Sequence, residues 1–509
     1  MKKKILIIIL LASGAFSLKS QQVFNYDSLS VFRILQTGLE TNFNIRMKRH
    51  VVDESKGQLT SYKGAFNPKL LLGATGYYGT DPTDSYSNQY IVTGEIIIPT
   101  HMGIKVYSGF RLSVETQVQL GVEGYYPTQY LPINESGMYA GISIPLLHDL
   151  GRNNSSNVAY LSALMMNKSQ NVAFTDEVCQ FVKTALTNYY TSYQRSTVFK
   201  IQKAADKDAH DYVSDIESMI SNEQLPQTEH YRAKAYQLNI SQQYSLARNE
   251  VVNSLFDLIT SVGMKGTLKP NTLPVFLDSL PDPSTFDWDQ YLIYVYNNTD
   301  SLVSNTPYYK SQELVTSSAE ITMNGAKHNR LNDLDLDISY MYFGLTSGDP
   351  VADFSHTFSS GSPGATYNFT LSYKLPFKNE ERQGDYLTKL SSFELNKTQL
   401  EQVKFDARAQ VHQLLSDLNN LRQLFVHQVE LATIEKQTFL GEVQKFKLGT
   451  STQIDMINTY MDYNSALVNM ENGRLAIMTR VIALKYLIGD FPTSTDQLLS
   501  YNLWDFRVK

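Results

Sequence analysis

The chain has 509 residues, a length that at roughly 150 residues per domain would suggest about three domains. Its composition points elsewhere: Tyr 33 and Phe 24 stand against Trp 2, only 18% of residues are charged, and the net charge is -6. That mild acidity excludes the basic footprint of a nucleic-acid binder, so no nucleic acid is expected as a partner. The single cysteine, Cys179, excludes a disulfide framework, a multi-thiolate zinc site and an iron–sulfur cluster. The histidines form no His-x-x-x-His pair, and neither a metal nor a cofactor is expected.

Residues 1–20 read as a secretory signal peptide. Lys2, Lys3 and Lys4 precede an apolar run from Ile5 to Phe16 that is too short to span a bilayer as a helix. Ser17 and Ser20 are alternative cleavage positions. Cutting after Ser20 removes four lysines and takes the net charge from -6 to -10. No later stretch is apolar for the 18 residues or more that a transmembrane helix needs, so the mature chain either stays outside the membrane or crosses it as strands.

Two periodicities then alternate. From Ile104 to Val122 the even positions are mostly apolar and the odd ones, among them Lys105, Arg111, Glu115 and Gln117, are mostly polar. The same period of two recurs with Met138, Ala140, Ile142 and Ile144; with Leu334, Leu336, Ile338, Tyr340 and Tyr342; and with Tyr367, Phe369, Leu371 and Tyr373. Such runs exceed an ordinary globular strand and suit a barrel wall with one face in lipid. An amphipathic sheet packed on a soluble core would carry the same alternation. Tyr77-Tyr78 and Tyr125-Tyr126 fit either interfacial girdles or loops at a barrel rim.

The helical signal is longer. From Val158 apolar residues recur at 161, 165, 172, 179, 182, 186, 189 and 193, and a second series runs Ala407, Val411, Leu414, Leu418, Leu421, Phe425. Spacing near 3.5 residues predicts coiled-coil seams. Neither proline nor glycine occurs between Asn154 and Ser221, a stretch that as one helix would be about 100 Å long. Cys179 falls on the seam, as does Met165 with Met166 beside it, and all three read as core residues.

The layout repeats as a strand-strand-helix-helix unit. Pro145 and Pro376 close strands ahead of long helices, while Gly263 and Gly489 close helical pairs. The expected segments are an N-terminal helical part, 21–66; strands 67–147 with an inserted loop 81–103; and a helical pair 148–263. A connector 264–300, a helical part 301–330, strands 331–377, a helical pair 378–489 and a tail 490–509 follow. The insert, with its apolar run Tyr90–Pro99, reads as an extra hairpin outside the barrel or as a restructured external loop. One chain then supplies about four strands, too few to close a barrel, which takes about eight.

The segments Ile144-Pro145-Leu146-Leu147-His148-Asp149-Leu150-Gly151-Arg152 and Phe446-Lys447-Leu448-Gly449-Thr450-Ser451-Thr452-Gln453-Ile454-Asp455-Met456, set in this duplicated layout, resemble the TolC-like outer-membrane efflux factors from about Val31 to Gly489. The resemblance implies an α+β membrane protein: a homotrimer whose copies share a 12-stranded β-barrel continued by a long periplasmic α-helical coiled-coil barrel. It implies outer-membrane lipid, a periplasmic adaptor (membrane-fusion) protein and an inner-membrane transporter as partners. The implied function is an exit channel that passively conducts small molecules to the exterior. The outlet of a type I protein-secretion system is the alternative within this class, and an envelope-spanning coiled-coil scaffold is a more remote one.

The resemblance places the periplasmic entrance at the turns near 222–229 and 446–458. Of the family's acidic pair, one member falls on Asp455 and the other on Asn458. A basic residue that ties neighbouring helices falls on Ser451, and Glu229 marks the equivalent turn of the first half. Three Asp455 carboxylates converging on an axis would favour cations. Thr452-x-x-Asp455 is also a capping box, and the two roles are compatible; Glu229 has the same two readings, of which the plain helix start is preferred. Gly141-x-Ser143-x-Pro145 lacks the second glycine of a nucleophile elbow, and no glycine-rich phosphate loop occurs, so no enzyme is expected.

Overall fold

The computed structural model describes residues 28–80, 86–118, 133–264, 273–286, 288–347, 363–492, 503, 504 and 506. The expected signal peptide and Tyr125-Tyr126 lie outside them. The chain divides into two compact units, one of residues 1–49, 174–307 and 404–509, the other of residues 50–173 and 308–403.

The second unit is built on one antiparallel sheet of six strands in the order β2-β3-β4-β5-β7-β8. These are β2 Lys69–Thr80, β3 Tyr86–Pro99, β4 Lys105–Val118, β5 Ile133–Pro145, β7 Asp333–Ser347 and β8 Pro363–Lys374. Four come from the first half of the chain and two from the second, so the described residues carry six sheet strands where about four, two per half, were expected. Much of the stretch expected as an inserted loop, 81–103, is β3, paired along its length with both β2 and β4. The physical reason is local: Ile96, Ile97 and Ile98 run consecutively, and Ile91 and Ile97 lie on the otherwise polar face, opposite Ser113 and Tyr107. An apolar residue on both faces erases the period of two.

Helices follow the sheet within this unit. Residues from α2 (Phe43–Lys63), α3 (Ser155–Ser221), α6 (Pro307–His328) and α7 (Glu380–Lys447) belong to it. Small polar side chains let them approach closely: Ser162 meets Ser318 at 2.9 Å and Ser169 meets Ser311 at 3.0 Å across α3 and α6. Thr316 Oγ1 donates to the Asn396 carbonyl at 3.2 Å between α6 and α7. Where strands meet helices, Arg382 grips both Asp333 oxygens at 2.9 and 3.0 Å, and His148 approaches the same carboxylate at 3.1 Å.

In the other unit α1 (Val31–Thr41), α4 (Gln227–Val262), α5 (Asp289–Ser304) and α8 (Gln453–Leu487) join the remaining parts of α3 and α7. The α5 helix starts inside the expected connector, 264–300. The expected seam residues Cys179, Val182, Leu186 and Tyr189 are buried in one core cluster. Val411, Leu418 and Phe425 are buried in another, with Ala407, Leu414 and Leu421 packed against it. Burial pushes the Cys179 thiol up to about 12, helped by the Asp176 carboxylate, so it stays protonated. A short parallel pair, β1 (Ser28–Leu29) with β6 (Val275–Phe276), is held by the Tyr189 hydroxyl, 3.2 Å from the Leu29 and Asp278 carbonyls. From the tail, Phe491 and Leu503 enter the first cluster and Phe506 lies against the second.

Candidate functional site: the paired helical turns and the two-faced sheet

Both long helices end in the same backbone motif. At the end of α3 the Glu223 amide donates to the Ile220 carbonyl and the Gln224 amide to Met219, at 3.0 and 2.9 Å. At the end of α7 the Gly449 amide donates to Phe446 and the Thr450 amide to Lys445, also at 3.0 and 2.9 Å. Each motif turns on a left-handed residue, Glu223 at φ 56° and Gly449 at φ 74°, a conformation that suits glycine and strains other residues.

The helices that leave these turns start differently. Pro226 precedes α4 without a side-chain cap. Thr452 and Asp455 form the expected capping box on α8: the Thr452 hydroxyl donates to the Asp455 carboxylate at 2.6 Å and accepts from the Asp455 amide at 3.2 Å. Asp455 nevertheless remains exposed, as does Asn458 on the next turn. Ser451 donates to Glu442 at 2.7 Å, and Lys445 pairs with the same carboxylate. The Lys445 ammonium and then the Ser451 hydroxyl hold the Glu442 carboxyl below its ordinary 4.5. Glu229 is half-buried and pairs with Arg232 at 2.8 Å.

The two turns touch. Buried Gln453, the first residue of α8, donates to the Glu229 carbonyl at 3.4 Å. Phe446 packs against Val213, Ile216 and Ala233. Next to this contact, Tyr236 and Tyr460 meet edge to face with centroids 6.3 Å apart, and the Tyr460 hydroxyl donates to Asp208 at 3.1 Å. Burial pushes the Tyr212, Tyr236 and Tyr460 phenols up, so they remain neutral. Along α3 and α8, Gln202 meets Asn464 at 3.2 Å and Gln194 meets Asn472 at 2.8 Å. Ser451, Asp455 and Glu229 thus stand in one local constellation. Glu442, Gln453 and the tyrosines were not singled out from sequence; the signal for the amide pairs was glutamine at buried positions of α3.

The sheet has two chemically opposite faces. Ladder register places Leu70 and Leu72 of β2, Val92 and Ile96 of β3, Phe110 and Leu112 of β4, Ile142 and Ile144 of β5, Leu336 and Ile338 of β7, and Phe369 and Leu371 of β8 on one face. Among the described residues that face carries no charged side chain. Lys69, Glu95, Lys105, Arg111, Glu135, Asp335, Asp337 and Lys374 all lie on the other. There the Tyr107 hydroxyl donates to Asp337 at 2.6 Å and the Tyr139 hydroxyl to Glu95 at 2.7 Å. Gly141 leaves room for this pairing, since a Cβ there would come within 2.5 Å of the Tyr107 ring. No helix among the described residues is long and apolar enough to cross a membrane.

No family model matches the sequence, and no curated protein matches it. Solved structures do. CusC, described in connection with transmembrane channel formation, superposes with a TM-score of 0.63 at 13% identity, over 93% of this chain and 96% of that one. The outer membrane protein VceC of Vibrio cholerae gives 0.63 at 11% identity, over 90% and 96% of the two chains. The CmeC outer membrane channel of Campylobacter jejuni gives 0.62 at 12% identity, over 92% and 88%. The chain shares the fold of these solved structures.

Proposed function

We propose that three copies of this chain form an outer-membrane exit channel, the last component of a tripartite efflux system. The observation that carries the reading is the division of the sheet. A face without charge suits hydrocarbon, and a face that holds every described charge of the six strands suits a water-filled lumen. A sheet packed on a soluble core would need a covering layer on its apolar face, yet Leu72, Tyr367, Phe369 and Leu371 are 73%, 68%, 71% and 65% exposed.

The fold likeness to outer-membrane channels supports the location, with helices extending into the periplasm. It also supports a periplasmic adaptor and an inner-membrane transporter as partners. The conduit itself is passive and takes its energy from that transporter. The paired turns are the periplasmic entrance. Asp455 is exposed while capping its own helix, so three copies converging on an axis present a carboxylate ring with Asn458 one turn on. Ser451 replaces a basic tie with a hydroxyl turned to Glu442, and Glu229 supports the neighbouring turn.

Planar-bilayer recordings of the purified protein test this. A cation-preferring conductance is expected, and Asp455→Ala is expected to lower that preference. Absence of any conductance would remove the channel reading. Conductance with unchanged selectivity would remove Asp455 from the pore.

A further inference from the structure

The edges of the sheet, β2 and β8, have no partner strand among the described residues. In lipid an open edge is untenable, because each unpaired amide and carbonyl there costs several kcal/mol. Six strands are too few to close on themselves around a lumen, which takes about eight. The two edges are nonetheless complementary. Both are 12 residues long, and they run in opposite directions, since each step across the sheet is antiparallel.

We infer that β2 of one copy pairs along its whole length with β8 of the next, Lys69 opposite Lys374 through to Thr80 opposite Pro363. The trimer would then close a barrel of 18 strands, six from each copy. This rests on the three-copy channel reading and replaces the strand count expected from sequence.

Three features of the sheet support the register. First, it keeps each face intact: Leu70, Leu72, Ala74 and Gly76 stand opposite Tyr373, Leu371, Phe369 and Tyr367, while Gly73 and Thr75 stand opposite Thr370 and Asn368. The largest rings thereby meet the smallest residues, which lets neighbouring side chains interdigitate. Lys69 with Lys374 is the unfavourable pair, and both are exposed at the end of the ladder.

Second, the strand ends already step across the sheet. The ladder row that starts at Lys69 passes through Ile97, Tyr107, Gly141 and Ser339 to Asn368, six residues short of Lys374, where β8 ends. A step of six residues at ~3.3 Å over six strand spacings of ~4.8 Å gives a tilt of roughly 35°, a value barrels adopt. Third, this register leaves no residue of either edge strand unpaired.

The functional consequence is width. At that tilt 18 strands enclose a backbone cylinder roughly 34 Å across, against roughly 22 Å for 12 strands. Side chains do not fill such a bore. The barrel therefore does not sort cargo by size, and any size selection falls to the helical turns.

The test is oxidation of the full-length Thr75→Cys/Asn368→Cys protein in membranes, beside the Ala74→Cys/Phe369→Cys protein, which samples the other class of cross-strand pair. The buried native Cys179 is left in place. Most of the protein is expected to shift to a three-chain band that reduction reverses, with neither cysteine alone producing it. Native mass spectrometry of the unmodified protein reads copy number separately. Three copies without a cross-link in either variant would overturn the edge pairing and leave the channel reading standing. Faster cross-linking by Thr75→Cys/Thr370→Cys would overturn the register. A native mass other than three chains would overturn the three-copy reading and with it the strand count.

Discussion

Glu223 at the end of α3 and Gly449 at the end of α7 hold the same left-handed position, 56° and 74° in φ, with matching hydrogen bonds around them. The two turns meet one backbone demand with unlike residues. The second is made locally, by a glycine and the Thr452–Asp455 capping box. The first has a strained glutamate and a helix start without a side-chain cap, and its own Met219, Ile220 and Leu225 pack instead into the cluster that Phe446 joins. The two turns share a backbone path and differ in what holds it.

Removing the tertiary contact separates the two most sharply. Phe446→Ala deletes a half-buried ring that belongs to the second turn but packs on the helices of the first. A loss of about 2–3 kcal/mol is expected, below the range for a fully buried ring. Hydrogen exchange should show the larger loss of protection at residues 219–226, because the 448–452 turn keeps its own caps. Equal loss at both turns would mean that the second also depends on packing.

Smaller and opposite effects are expected at the left-handed positions themselves. Gly449→Ala forces a Cβ into that conformation and should destabilise by about 1–2 kcal/mol. Glu223→Gly relieves the same strain but adds the backbone entropy of glycine, so a gain of up to about 1 kcal/mol is expected. Thermal unfolding in detergent reads both. The comparison fails if Glu223→Gly destabilises, for that would give the glutamate side chain a role beyond its strained backbone.

A similar contrast governs what could be read from sequence. The β4 strand was legible because Lys105, Arg111 and Ser113 alternate with Val106, Phe110 and Leu112, each set keeping to one face. The neighbouring β3 was not, because isoleucines occupy both of its faces and mask the alternation. The helical seams were legible for the reason β4 was: Val411, Leu418 and Phe425 recur at the heptad spacing and all three are buried. At the turns, the Thr452–Asp455 box could be read because its partners are three residues apart. Gln453 with Glu229, or Tyr460 with Asp208, could not, since residues more than two hundred positions apart meet only after the two helical pairs have packed.

The smallest effect concerns Ser451 and separates the turns by their response to acid. Glu442 lies beside Lys445 and Ser451, and both hold its carboxyl below 4.5, Lys445 more strongly. A carboxyl with a lowered folded pKa stabilises the fold above its unfolded pKa, and that contribution is lost as pH falls through the folded value. Protection of the 448–452 turn from proteolysis should therefore persist to a pH below 4.5 and then decline. Ser451→Ala removes one of the two interactions, so the decline should begin at a higher pH, though still not at the pH of a free glutamate, because Lys445 remains. Lys445→Gln should move it further. The turn at 222–226, where Glu229 pairs with Arg232 at 2.8 Å instead, should respond to neither substitution. Superimposable acid profiles for Ser451→Ala and the unmodified protein would show that the Ser451 hydroxyl contributes nothing at this turn, and that glycine and the capping box alone distinguish it from the first.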